Sequence, residues 1–432
     1  MITMLTVGRQ VTLDMIDLDY KGQGVSKMDG YVIFTPGVLI GEKAIVEITK
    51  INKNFAEANL IELLTISKKR AHDSSLLGSI ELYHLEVNEQ IKWQEKITKE
   101  TFLKVAQIEV DLEETITDSR FTNYRNKSVF HVIDGPVIKL GLYLKNYLLT
   151  ETQQFILSDK TTNKFLNLIN RLYIPIEQNV ISHIIFRTNE AQQILITLVA
   201  TKEDIKGLDL FIKRLKAEPE VVGITLNLKD QSKNILGQQS IVLYGKNQIM
   251  EKLNQFELPI NDRSFFQINF PVMKKVFETI KTHLIKDSNV VEAYSGIGTI
   301  GLSLIDQIKN CVMIESNKES MDMAFQIIQT YDLHHIKLVE DRAELVIDRY
   351  PGDVLIVDPP RQGLMKTLID KVLEMNFKQI IYVSCDVKTL ARDVKLLSDL
   401  YEIKYIYPIR MFHHTISIET CVILEKKSLS LN

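Results

Sequence analysis

At roughly 150 residues per domain, a chain of 432 residues is long enough for about three domains. With 45% apolar and 25% charged residues it cannot be a disordered, collagenous or low-complexity protein. Its 52 Lys and Arg against 55 Asp and Glu leave a net charge of -3, so nucleic-acid binding would need a local basic patch, not a global field.

The segment GRQVTLDMIDLDY, KGQGVSKMDG, YVIFTPGVLI and GEKAIVEITKINKNFAEANLIEL alternates apolar and polar residues in short runs broken by Gly and Asp-Gly. That pattern predicts a small antiparallel barrel over residues 1–65, ending near Leu64. Lys21, Lys27, Lys50 and Lys53 in its turns are either a phosphate-binding rim or an ordinary solvated face. From Val87 to Val105 the apolar residues fall at helical spacing and predict an amphipathic helix. Residues 66–261 otherwise mix strands (ISHIIFRT, QILITLVA, VVGITLNL, SIVLYG) with helical stretches (EDIKGLDLFIKRLKA, KNQIMEKLN), an α+β domain. Over 262–432, strand-like and helix-like runs alternate, which predicts a doubly wound α/β sheet with ligands at the C-terminal ends of its strands.

The only cysteines are Cys311, Cys385 and Cys421, too few for a disulfide framework and suited to a reducing compartment. The first residues lack a basic, apolar and small-residue leader pattern, and no apolar run reaches membrane-spanning length. The expectation is a cytoplasmic, unprocessed protein that does not meet a membrane.

The first strand of the α/β segment runs into Glu292-Ala-Tyr294-Ser-Gly296-Ile-Gly298-Thr-Ile-Gly301, and the next ends at Glu315. Glycines here permit a tight turn and close backbone approach to a ligand, while an acidic residue after the second strand can accept both ribose hydroxyls. A nicotinamide dinucleotide, S-adenosylmethionine and a plain glycine turn all fit this motif. DVLIVD then leads into Asp358-Pro359-Pro360-Arg361-Gln362-Gly363, whose two prolines fix the backbone and turn carbonyls towards a cleft, as holding a flat base requires. A surface turn is the plainer reading, and an aromatic after the prolines would have suggested an amino-group methyltransferase.

KQIIYVS places Cys385 just past a hydrophobic strand and before the helix VKTLARD; a lone Cys is commonly a small buried hydrophobe, but at this strand end a thiolate nucleophile is favoured and gains from a helix N-terminus. Cys311 and Cys421 lie inside strands and read as structural. Near the C-terminus, Glu419 follows Met411-Phe-His413-His414-Thr415 and is equally a catalytic base or an exposed strand end. His413 and His414 have no matching Cys or His pair for a metal.

Together YSGIGT, IVDPPRQG, YVSCDVKTLARD and MFHHTISIET resemble the bacterial S-adenosylmethionine-dependent RNA 5-methyluridine methyltransferases. The N-terminal strands look like that family's RNA-binding TRAM domain, and NDRSFFQIN like the element before its catalytic domain. The resemblance implies a Rossmann-like methyltransferase sheet at the C-terminus, S-adenosylmethionine as cofactor and RNA as partner. It implies that Cys385 adds to carbon 6 of uracil and that Glu419 removes the carbon 5 proton. It further implies that Gln267, Tyr294, Glu315 and Asp358 line the cofactor site, with Glu315 on the ribose and Asp358 also positioning the base. Ribosomal 23S RNA is the expected target, with transfer RNA the alternative; Arg361 and Arg125 are candidate phosphate contacts, and a monomer is the default.

Many members of that family hold an iron-sulfur cluster on four cysteines. Here the corresponding stretch is AHDSSLLGSIELYHL, with Ala71, Leu77 and Ile80 where cysteines would stand, so no cluster is expected. Smaller departures are Ser295, where Cys is common, and His413, where Pro is common. Two other classes remain open from sequence: a non-catalytic RNA-binding or assembly factor, and a nicotinamide-dependent oxidoreductase, which leaves Cys385 and the Asp-Pro-Pro turn without a joint role.

Overall fold

The computed structural model describes residues 5–75 and 77–428; residues 1–4, where the first expected domain begins, lie outside them. The chain divides into two compact units, Met1–Thr115 with Cys385–Lys395 and Ile406–Thr420, and Ile116–Ser384 with Leu396–Tyr405 and Cys421–Asn432.

The first unit opens with six strands: β1 (Gln10–Asp14), β2 (Asp17–Leu18), β3 (Gly24–Met28), β4 (Tyr31–Thr35), β5 (Lys43–Ile51) and β6 (Phe55–Leu63), in the order β1-β5-β6-β4-β3-β2. Period-two alternation puts Val11, Leu13, Ile33, Val46, Ile48, Ala56 and Ala58 into one core. Between β3 and β4, Asp29 and Gly30 both take positive φ, the two-residue turn that matches the strands' twist. Helix α1 (Val87–Thr101) follows and continues as a π-helical turn over Phe102–Ala106. It buries Trp93 and Ile97, and the Trp93 indole N–H donates to Asp19 O at 2.9 Å.

The second unit carries a seven-stranded sheet from β7 (Lys127–Ile133), β8 (Lys139–Tyr143), β9 (Leu149–Glu151), β10 (Ile181–Thr188), β11 (Ile194–Ala200), β12 (Val221–Leu228) and β13 (Gln239–Gly245), ordered β13-β12-β11-β10-β7-β8-β9. Helices α2 (Lys160–Arg171) and α3 (Leu208–Leu215) accompany it, α2 starting where Asp159 accepts from Thr162 N at 2.9 Å.

The stretch KNQIMEKLN, expected to be helical, is instead strand β14 (Gln248–Leu253), paired antiparallel with β15 (Phe256–Asn261). Its period is two: Ile249, Glu251 and Leu253 are buried in alternation, and Asn254 makes the tight turn at φ 52°.

After α4 (Phe270–His283) comes the α/β sheet. Its elements are β16 (Ser288–Ala293), α5 (Thr299–Ser303), β17 (Ile308–Glu315), α6 (Lys318–Tyr331), β18 (Ile336–Glu340), α7 (Ala343–Val346), β19 (Val354–Val357), α8 (Lys366–Met375), β20 (Gln379–Ser384), α9 (Val387–Leu397), β21 (Tyr401–Ile409) and β22 (Glu419–Lys426). The strand order is β18-β17-β16-β19-β20-β22-β21, and the run from β18 to β20 is parallel throughout. The order reverses at β16, between β17 and β19, the switch point where doubly wound sheets open a crevice. The sequence-based fold class is borne out.

Candidate active site

In the second unit, the glycine loop joins β16 to α5, and each glycine answers a different steric demand. Gly298, at φ 83°, caps α5, and a Cβ there would lie 2.6 Å from Met313 Sδ. A Cβ on Gly301 would lie 2.5 Å from Glu292 Oε2 and 2.6 Å from Met313 Cε, so only hydrogen lets α5 sit this close to the sheet. Gly296 differs: its φ is 56° and nothing lies within 4 Å of where a Cβ would be, which leaves its backbone open to a ligand.

Two carboxylates organise this loop. Glu315, at the end of β17, accepts from Gly296 N at 3.0 Å and from Asn317 N at 2.7 Å, so the acidic residue and the glycine turn form one constellation. Glu292, inside β16 and 2% exposed, accepts from Gly301 N at 3.0 Å. Burial raises its carboxyl to about 8, against the lowering effect of that hydrogen bond and with further upward pressure from Asp358 and Glu315. In the sequence Glu292 stands out only as the start of a motif. An acidic residue in the middle of the apolar run NVVEAY was the available signal for it.

The sheet register aligns the remaining cofactor-side residues. Ala293 pairs with Ile314 on β17 and with Val357 on β19, and Val357 pairs with Tyr382 on β20. The next residues along the chain, Tyr294, Glu315 and Asp358, therefore occupy neighbouring strand ends. Tyr294 holds φ 60°, a left-handed backbone uncommon for a bulky residue. Burial raises the Asp358 carboxyl to about 7, so it is poised between neutral and charged near neutral pH. Pro359 is buried and Pro360 exposed, and Gly363 N closes the following turn on Pro360 O at 2.8 Å. Gln267 lies between β15 and α4, and its carbonyl accepts from Asn126 Nδ2 at 3.0 Å.

Cys385 and Glu419 belong to the first unit. Cys385 is half-buried and follows β20 directly, while Asp386 caps α9 by accepting from Lys388 N at 3.0 Å and Thr389 N at 2.9 Å. The other two thiols are fully sequestered. Burial, helped by the Glu292 charge, pushes Cys311 far above the ordinary thiol range, and burial with Asp358 pushes Cys421 up to about 12. Glu419, 7% exposed, opens β22.

The loop before Glu419 is held by α1. Gln90, fully buried, accepts through Oε1 from Arg410 Nη2 and from His414 N, both at 2.8 Å. Its Nε2 donates to Leu85 O at 2.8 Å and lies 3.1 Å from His414 Nδ1. Arg410, also fully buried, reaches Gln94 Oε1 at 3.2 Å and Thr415 O at 3.1 Å, and Gln94 donates to Ile409 O at 3.0 Å. His414 adopts φ 66° within this lattice. Burial, with Arg410 and His414 nearby, lowers His413 to about 3, so it is a neutral ring at any ordinary pH.

The model of the tRNA (Uracil-5-)-methyltransferase family matches residues 92–427, and that of the TRAM domain residues 5–61. The chain belongs to the tRNA (uracil-5-)-methyltransferase family. It is 31% identical to an RNA methyltransferase of Oceanobacillus iheyensis over 95% of both chains, and 30% identical to one of Listeria innocua over 98% of this chain and 99% of that one. Its fold is also that of the Pyrococcus abyssi tRNA (uracil-54, C5)-methyltransferase, solved in complex with S-adenosyl-L-homocysteine. That match has a TM-score of 0.76 at 21% identity, over 96% of this chain and all of that one.

An RNA methyltransferase of this family needs cations on its surface, and several candidates are already engaged. Lys50 lies 3.8 Å from Glu57, Lys21 sits 5.6 Å over the Tyr20 ring, and the Arg125 guanidinium is 6.0 Å from the Phe155 ring. Arg361 is exposed in the turn after the two prolines. Where cluster cysteines would stand, Ile80 is buried, Leu77 half-buried and Ala71 exposed. Among the described residues no three His, Cys, Asp or Glu side chains group to hold a metal, and no helix is long and apolar enough to cross a membrane.

Proposed function

We propose that this enzyme transfers a methyl group from S-adenosylmethionine to carbon 5 of a uridine in RNA, through a covalent bond between Cys385 and carbon 6. The observation that carries the reading is the register that brings the ends of β17, β16, β19 and β20 to one edge of the sheet, with Cys385 the next residue beyond β20.

Gln267, Tyr294, Glu315 and Asp358 would hold the cofactor, with Glu315 on the ribose diol. The open, left-handed Gly296 beside the Glu315 carboxylate fits a nucleoside at that place. When bound, S-adenosylmethionine supplies an electrophilic methyl group. An uncharged uracil carbon attacks it poorly, and the protein's own groups remedy this. The Cys385 thiolate would add to carbon 6 and push electrons to carbon 5, which would then take the methyl group as its bond to the sulfonium sulfur breaks, leaving S-adenosylhomocysteine. Glu419 removes the carbon 5 proton, the electrons re-form the 5,6 double bond, and the carbon–sulfur bond breaks to release Cys385. Asp358, close to half-protonated near pH 7, can donate or accept a hydrogen bond at the base.

The target uridine has to leave its stack, because carbon 6 is inaccessible in a paired helix. The sequence resemblance suggests 23S ribosomal RNA; the family description and the Pyrococcus abyssi enzyme's own substrate favour transfer RNA. Incubation with labelled S-adenosylmethionine and each unmodified RNA, followed by nucleoside mass spectrometry, tests the reading. A 5-methyluridine product in one of them is expected. Cofactor binding without transfer to either would refute it.

A further inference from the structure

A cavity of about 350 Å³ lies in the second unit, between the start of β13, the ends of the β14–β15 hairpin and the first turn of α6. We propose that it receives one nucleotide of the substrate RNA other than the target uridine, its base edge read by side-chain amides.

Most of the side chains that line it are polar, among them Thr225, Gln238, Gln239, Asn247, Asn261 and Arg263. Several of these groups are locked in place. Arg263 donates to Gln238 O at 2.5 Å and Gln238 Oε1 at 2.9 Å, and reaches Glu319 at 3.4 Å. Asn261 donates to Glu319 Oε1 at 2.8 Å, and Ser240 to Asp262 Oδ2 at 2.5 Å. The exposed amides of Gln239 and Asn247 each present a donor and an acceptor in one plane, the pattern that pairs with a base edge.

The charge of the lining is mixed, Arg263 standing against Asp262 and Glu319. Arg187, 3% exposed, and Lys127 both face the field of Asp262; burial lowers them to about 10 and about 8, so both remain cationic at neutral pH. Arg187 and Lys127 act on Asp262 from outside the cavity lining, so the balance within it suits the uncharged edge of a base. The volume lies within the range of small-molecule sites. The same chain segment that lines the cavity at Asn261, Asp262 and Arg263 continues to Gln267 on the cofactor side. This inference rests on the RNA-methylation reading and extends it to a second nucleotide.

The test uses the full-length enzyme, Gln239→Ala and Asn247→Ala, and a substrate RNA carrying single abasic positions around the methylated uridine. One good base contact gives about a tenfold effect. Each variant should therefore raise the RNA KM about tenfold while keeping wild-type affinity for S-adenosylmethionine by calorimetry. One abasic position should cost wild type the same factor and cost the variants nothing further. Unchanged RNA KM in both variants, or no abasic position that distinguishes them from wild type, overturns the subsite. Free mononucleotides binding there without any RNA effect would assign the cavity to a free ligand and overturn it as well. Wild type that makes no 5-methyluridine on any RNA would instead overturn the underlying reading. Both replaced side chains are exposed, and the melting temperature of each variant checks that it folds.

Discussion

Replacing Glu292 with Gln keeps an oxygen to accept the Gly301 N–H, now at 3.0 Å, and removes a titrating group from beneath the glycine loop. Folding raises this carboxyl from 4.5 to about 8, chiefly by burial. A group that holds its proton more tightly folded than unfolded stabilises the fold fully below pH 4.5 and loses that contribution as pH rises through 8. At 1.36 kcal/mol per pH unit, the whole span is worth about 5 kcal/mol. In a cooperative unit of this size each kcal/mol moves the unfolding midpoint by about 2 °C. Between about pH 5 and about pH 9 about 4 kcal/mol of this is lost, so wild type should lose about 8 °C more than Glu292→Gln. Scanning calorimetry of both proteins across that range measures it. The difference between the two curves cancels most of the slope from Asp358, which both proteins retain. Parallel curves would mean that Glu292 is already ionised in the folded protein, and the burial argument for the loop would fail.

RNA with 5-fluorouridine at the target should trap an adduct stable to denaturing electrophoresis, because fluorine cannot leave as a proton does; Cys385→Ala should give neither adduct nor product. Glu419→Gln should accumulate adduct on ordinary RNA, and fast release of methylated product by that variant would take the base role from Glu419. Gly301→Ala drives a methyl group into Glu292 and Met313, a clash typically worth about 1–3 kcal/mol, so it should lower the melting temperature and weaken S-adenosylmethionine binding at least tenfold by calorimetry. Gln90→Leu leaves buried partners of its amide unsatisfied at about 1–3 kcal/mol each. It should cut kcat at least tenfold and leave cofactor affinity near wild type; an unchanged kcat would show that the lattice around Arg410 does not set the active loop.

Local periodicity makes much of the fold readable in the sequence. The barrel strands alternate with clear turn residues, and NVVEAY, CVMIE, DVLIVD and KQIIYVS are apolar runs of strand length separated by helical patterns. At β14 the sequence points to a helix because QIMEKL is rich in good helix formers, and pairing with β15 outweighs that local preference. The proposed site residues Cys385, Asp358 and Glu315 stand out in the sequence because each stands at a strand end. What α1 does is not legible there, because a helix's partner is set by tertiary packing. One sign was nevertheless present: the buried stripe of α1 contains Gln90 and Gln94 beside Trp93 and Ile97, and amides on a buried face must find partners.

Those partners explain how a chain without cysteines at Ala71, Leu77 and Ile80 can order this part of the molecule. Arg70 and Glu42 form a buried, two-pronged pair at 2.7 Å, and Arg70 also donates to Gly37 O at 2.8 Å. His72 stacks on Tyr83 at 4.5 Å, and Tyr83 meets His414 edge-on at 5.5 Å. Leu82 N donates to His414 O at 3.0 Å, and Gln90 takes His414 N from the other side. Leu82, Tyr83 and the first turns of α1 thus grip one left-handed residue, His414, five positions before Glu419. Directional hydrogen bonds from a fully buried amide and guanidinium fix backbone as a ring of thiolates on a metal would, but without dependence on redox state or metal supply. On this reasoning wild-type melting temperature should be unmoved by chelators and by oxidation, while Arg70→Met and Gln90→Leu should each lower it. A chelator-sensitive midpoint in the purified protein would overturn the substitution of hydrogen bonds for metal.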